Sequence, residues 1–105
     1  MDKEYELVYL ASFRNSLREI RQEWRKLGIS EESIARFIKR INTSLEYVEY
    51  NPEMFPEVSD RYVFLVPTYR ISVGKTYAIF YRIIEDSKQI LVGSMFHQKQ
   101  VKVKF

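Results

Sequence analysis

Tyr69-Arg70-Ile71-Ser72-Val73-Gly74-Lys75-Thr76-Tyr77-Ala78-Ile79-Phe80-Tyr81-Arg82-Ile83-Ile84 decides the fold. Before Gly74-Lys75, apolar Tyr69, Ile71 and Val73 alternate with Arg70 and Ser72, which puts the trio on one face of a strand and the two polar residues on the other. After it comes a second run rich in aromatic and β-branched residues. Glycine between two such runs marks a tight turn, so the stretch predicts strands over Tyr69–Val73 and Tyr77–Ile84 paired as an antiparallel hairpin. Arg70 is expected to project from the side opposite the core.

Working outward, Gln89–Phe96 reads as a further strand beyond Glu85-Asp86-Ser87-Lys88, and Arg61–Val66 as another before Pro67-Thr68. Short connections make these four segments an antiparallel meander. Upstream the period changes. Ile34, Phe37, Ile38, Ile41, Leu45 and Val48 form one face of a helix that starts at Ser30, an N-cap followed by Glu31 and Glu32, and stops at Asn51-Pro52. Phe13, Leu17, Ile20, Trp24 and Leu27 are spaced as the stripe of an earlier helix that Gly28 ends. The three residues between the two helices imply an antiparallel helix hairpin. Tyr5–Leu10 reads as a first strand. The expected fold class is α+β: an N-terminal strand, a two-helix hairpin, then an antiparallel sheet meander, with the helices on one face and the other face partly open. No repeat or linker divides the chain, so residues 1–105 are expected to form one domain.

Composition narrows the chemistry. The 105 residues include 17 Lys or Arg, 14 Asp or Glu and one His, a formal net charge of +3. Divided after Asp60, the chain holds nine cations and twelve acids in residues 1–60, a net of −3. Residues 61–105 hold Arg61, Arg70, Lys75, Arg82, Lys88, Lys99, Lys102 and Lys104 against Glu85 and Asp86, a net of +6. The positive potential therefore belongs to the predicted sheet. With no cysteine there are no disulfides or thiolate nucleophiles, and a single histidine argues against a protein-bound metal. Asp2, Glu4 and Glu6 do not suit a secretory signal, and Val63–Val66, the longest run of apolar residues with tyrosine left out, is far too short to cross a bilayer, so a cytoplasmic location is expected. Nor is there a glycine-rich phosphate loop or a serine in a nucleophile-elbow setting.

What remains is a group of basic residues and one imidazole. The last strand runs into Met95-Phe96-His97-Gln98-Lys99-Gln100, placing His97 beside Lys99 at a strand end. With Arg70, such a group suits phosphate binding and proton transfer near neutral pH. The plainer alternative is that Arg70 and Lys75 are solvated charges that discourage edge pairing, and that His97 caps a strand. Tyr77, Phe80 and Tyr81 read as sheet packing, with an exposed tyrosine able to stack on a base.

The element order, Val73-Gly74-Lys75-Thr76-Tyr77-Ala78-Ile79-Phe80-Tyr81-Arg82-Ile83 and the closing Phe96-His97-Gln98-Lys99-Gln100 together resemble the RelE/ParE superfamily of toxins from bacterial type II toxin–antitoxin systems. The resemblance extends from Tyr5 to about Val101. It implies a small growth-arresting protein neutralised by a cognate antitoxin whose helix or strand lies along it, with no cofactor and no metal.

The superfamily divides by mechanism. RelE-like members cleave mRNA on the ribosome without a metal. That resemblance implies Arg70, His97 and Lys99 as catalytic residues, Arg70 and Lys99 on the phosphate and His97 as general acid, with Lys75, Arg82 and Tyr81 holding RNA and Glu57 as a possible base. Two residues depart from that pattern: Ala78 stands where the ribonucleases carry an arginine facing the scissile phosphate, and Ser72 replaces a common lysine. ParE-like members poison DNA gyrase through protein contacts and need no such constellation. The sequence leans to the ribosome-dependent endoribonuclease, with the gyrase inhibitor as the alternative and a non-toxic RNA-binding or scaffold module third.

Overall fold

The β2–β3 hairpin lies at one edge of a four-stranded sheet. In this computed structural model, which describes residues 4–100 and 102–105, the elements are β1 (Glu6–Tyr9), α1 (Ala11–Lys26), α2 (Glu31–Tyr50), α3 (Ser59–Tyr62), β2 (Tyr69–Val73), β3 (Tyr77–Ile84) and β4 (Gln89–His97). Asp2 and Val101, used in the sequence reading, lie outside the described residues. Strand order is β1-β4-β3-β2. The meander β2-β3-β4 is antiparallel, and β1 joins its far side parallel to β4, with Glu6 opposite Gln89 and Tyr9 opposite Val92.

The helices form as their stripes predict. Ser30 Oγ accepts the Ser33 N–H at 3.2 Å, capping α2. Gly28 adopts φ +78°, the left-handed conformation that ends α1. Phe13 and Ile20 of α1 and Ile41, Leu45 and Val48 of α2 pack against Ile71, Val73, Ile79, Tyr81, Ile90, Val92 and Met95 on one face of the sheet. Burial of this aliphatic and aromatic surface is the main force holding helices to sheet. At the rim Trp24, Phe37 and Tyr77 pack together, and Trp24 Nε1 donates to Tyr77 Oη at 3.1 Å.

Two expectations are corrected. Residues 61–66 are not a strand: the segment begins in the short helix α3 and continues as a loop. The outer edge of β2 is already taken by the chain around Glu57, where Arg70 N–H donates to Pro56 O, Val58 N–H donates to Thr68 O, and Glu57 bridges Tyr69. Residues 59–67 therefore close a loop between two paired ends, and their alternating pattern finds no sheet edge. Nor is the second face of the sheet open. Val58, Ala78, Phe80 and Phe96 form a second core, covered by Tyr62 and Phe64 from the loop and by Val103 and Phe105 from the C-terminal tail.

A β-bulge links the two faces. Ile79 pairs with Met95 but Tyr81 pairs with Val92, so three steps along β4 match two along β3. The extra residue falls at Gly93-Ser94 and reverses the facing of everything after it. Ile90 and Val92 face the helices before the bulge; after it Met95 and His97 do so, and Phe96 faces the second core.

Candidate functional site

Arg70 stands opposite Phe80 in the β2–β3 ladder, and Ser72 opposite Ala78, so both project from the second face. The Arg70 guanidinium is fixed on two sides: Nη1 donates to Ser72 Oγ at 3.2 Å and Nη2 to Gln98 Oε1 at 3.0 Å. Gln98 is itself held, its Nε2 donating to Tyr77 O at 2.9 Å and Gly74 O at 3.3 Å, while its N–H donates to Thr76 O at 2.8 Å. The end of β4 is thereby tied to the β2–β3 turn. Arg70 Nε is buried without a hydrogen-bond partner among the described residues. Lys75 on that turn and Lys99 just past β4 are exposed at the same end of the sheet. Arg70, Lys75 and Lys99 thus make a cationic corner.

His97 is not part of it. Its ring meets Tyr77 edge-on at 5.8 Å on the helix side, in a cleft of about 320 Å³ that also includes Ser16, Glu19 and Glu23 of α1. Its Nδ1 accepts the Lys99 N–H at 3.2 Å. The sheet separates the imidazole from the Arg70 guanidinium, and the β4 bulge is the cause: unbroken alternation from Ile90 and Val92 would have put His97 on the face of Arg70.

The residues implied to hold RNA are also dispersed. Tyr81 is fully buried on the helix side, stacked on Tyr69 at 5.2 Å, and its hydroxyl donates to Pro52 O at 2.5 Å. Its ring offers no face to a base in this structure, and its burial pushes the phenol well above the ordinary tyrosine value. Arg82 lies on the second face, but its Nε donates to Thr68 Oγ1 at 3.0 Å and its guanidinium carbon sits 3.8 Å from the Phe105 ring centre and 5.4 Å from that of Phe64. Desolvation there lowers its pKa below the ordinary arginine value. Ala78 is fully buried within the same cluster. Glu57 is exposed in its bridge to Tyr69. No group of three or more His, Asp or Glu side chains is arranged to hold a metal ion among the described residues.

Sequence reasoning missed Gln98, whose amide organises the cationic corner, and the loop after α3. In that loop Val63, at φ +58° and ψ +45°, is a β-branched residue in the left-handed region. The chirality of Cβ makes this cost about 1–2 kcal/mol. The signal for Gln98 was its place between two sheet-end residues; for the loop it was four consecutive apolar residues ending in Pro67.

Comparisons with known proteins agree with the fold. The toxin–antitoxin complex RelBE2 from Mycobacterium tuberculosis contains a similar chain, with TM-score 0.58 at 13% identity, covering 95% of this chain and 98% of that one. The archaeal RelE–RelB complex from Pyrococcus horikoshii OT3 gives TM-score 0.58 at 15% identity, covering 92% and 98%. At such identities the likeness is one of fold. No curated protein matches the sequence closely. Residues 7–102 match the family described as the ParE toxin of the type II toxin–antitoxin system parDE. A match over nearly the whole chain places it: the chain belongs to the ParE toxin family of type II toxin–antitoxin systems.

Proposed function

We propose that this toxin arrests growth by gripping a protein target, DNA gyrase, as in the gyrase-poisoning branch of its superfamily, and that it does not cut mRNA. The observation that carries this reading is the placement of Arg70 and His97 on opposite faces of the sheet. Cleavage of RNA by its own 2′-hydroxyl requires a proton acceptor, a proton donor and a phosphate clamp within hydrogen-bond reach of one phosphodiester. A guanidinium and an imidazole divided by a packed sheet do not share one. Buried Ala78 supplies no charge to a developing phosphorane, and Arg82 is already engaged by Thr68, Phe64 and Phe105. Binding a protein needs no such convergence. The cationic corner of Arg70, Lys75 and Lys99 then serves recognition of an acidic surface. A cognate antitoxin is the second partner, a reading supported by the two similar structures described above, each of a toxin–antitoxin complex.

Induction of the chain alone in bacteria tests this reading. Gyrase-linked DNA breaks with intact transcripts are expected, and His97→Ala is expected to leave the breaks unchanged. Transcript cuts mapped to ribosomes and lost in Arg70→Ala or His97→Ala would establish the ribonuclease instead.

A further inference from the structure

We propose that the loop Val63-Phe64-Leu65-Val66 is the anchor by which the toxin holds its target, its aliphatic tip entering an apolar pocket rimmed by carboxylates on that protein. The inference rests on the target-binding reading above.

Leu65 is fully exposed, Val63 is 84% exposed and Val66 47%, so three aliphatic side chains stand in water on one short loop. The loop is nonetheless held in place. Thr68 N–H donates to Ser59 Oγ at 2.8 Å, Thr68 Oγ1 donates to Val66 O at 2.8 Å and Phe64 N–H donates to Ser59 O at 2.8 Å. Phe64 turns inward, edge-on to Phe80 at 5.0 Å, and fixes the tip to the sheet. An apolar tip ordered in advance loses little conformational freedom on docking, which is what an interface anchor requires. Val63 adds an independent sign: a left-handed β-branched residue persists only where its surroundings over-determine it, and such strain collects at binding sites. The occupant follows from charge. Arg82 lies against Phe64 of the loop, and with Arg61 on α3 and Arg70 on the same sheet face it gives this side three cations against Asp60 and Glu57. A pocket that accepts Leu65 within this field is complemented by carboxylates at its rim.

The test compares Leu65→Asp with Tyr47→Ser, a control that removes another exposed large side chain, 59% exposed, from α2. Gyrase-linked breaks are counted after induction of each full-length chain, with binding to the purified cognate antitoxin and sedimentation of the free toxin measured alongside. Leu65→Asp is expected to retain the wild-type melting temperature and antitoxin binding while breaks fall at least about tenfold. Tyr47→Ser is expected to match wild type. Undiminished breaks in Leu65→Asp overturn the anchor and leave the gyrase reading standing. Loss of antitoxin binding instead assigns the loop to the antitoxin, and a wild-type dimer dissolved by Leu65→Asp assigns it to a second copy. Absence of breaks with the wild-type chain removes the gyrase reading and the anchor with it.

Discussion

The guanidinium carbon of Arg82 lies 3.8 Å from the centre of the Phe105 ring, and that ring covers Gly93, where an added Cβ would approach it to 2.8 Å. The C-terminal tail is thus fastened over the sheet by one cation and one missing side chain. Phe105→Ala removes the ring from both and is expected to cost about 2 kcal/mol, read as a lower denaturant midpoint. Gly93→Ala acts differently, because the ring can move aside. Faster amide exchange over residues 102–105 is expected, with a stability loss of about 1 kcal/mol.

Tyr81 makes the fold sensitive to alkali. Its phenol is raised by burial, with the nearby Tyr69 adding to the shift, so the folded state favours the neutral form. The stabilisation is complete below the unfolded value of about 10 and is lost as pH rises above it. Thermal stability is therefore expected to fall steeply above about pH 10. Tyr81→Phe flattens that fall, while at neutral pH it leaves Pro52 O without its donor, at a cost of about 1–2 kcal/mol. A melting series across pH for both proteins measures the two effects together.

Relieving the backbone at Val63 should stabilise the chain. Asparagine tolerates the left-handed region, and an 84% exposed valine has little burial to lose. Val63→Asn is expected to gain about 1 kcal/mol, seen as a higher melting temperature. A lower one would show that no strain is held there.

Gln98→Ala should unfasten the sheet end. It removes the donors to Tyr77 O and Gly74 O and the acceptor for Arg70 Nη2, at an expected cost of about 1–3 kcal/mol. Faster exchange of the Gln98 neighbours Thr76 and Tyr77 would locate the loss at the turn. An unchanged melting temperature and exchange pattern would show that the amide holds nothing.

Both helices, the strands around Gly74-Lys75 and the α+β class were legible in the sequence because each rests on local periodicity and caps: the Phe13-to-Trp24 stripe, Ser30 before Glu31, Asn51 before Pro52. The 61–66 segment was not. Its alternation is real, with Tyr62 and Phe64 inward and Val63 and Leu65 outward, but pairing depends on a free edge, and the chain around Glu57 had taken it. The candidate site failed to converge for a similar reason. One inserted residue at Gly93-Ser94 reverses which face His97 occupies, and period-two reading carries no mark of such an insertion beyond the glycine itself. Arg70 was placed on its face because no bulge lies between it and the turn.

The parallel pairing of β1 with β4 has a consequence for how the protein is made. Glu6–Tyr9 emerges from the ribosome early, yet its partners are residues 89–92, and α1 buries its stripe against the same late strand. Contacts so distant along the chain pay a large loop-closure entropy and form slowly. During synthesis β1 therefore waits without a neighbour until the last strand of its sheet is released. Until then β1 and the stripe of α1 lack the strand they pack on, so the sheet is completed only once β4 is available.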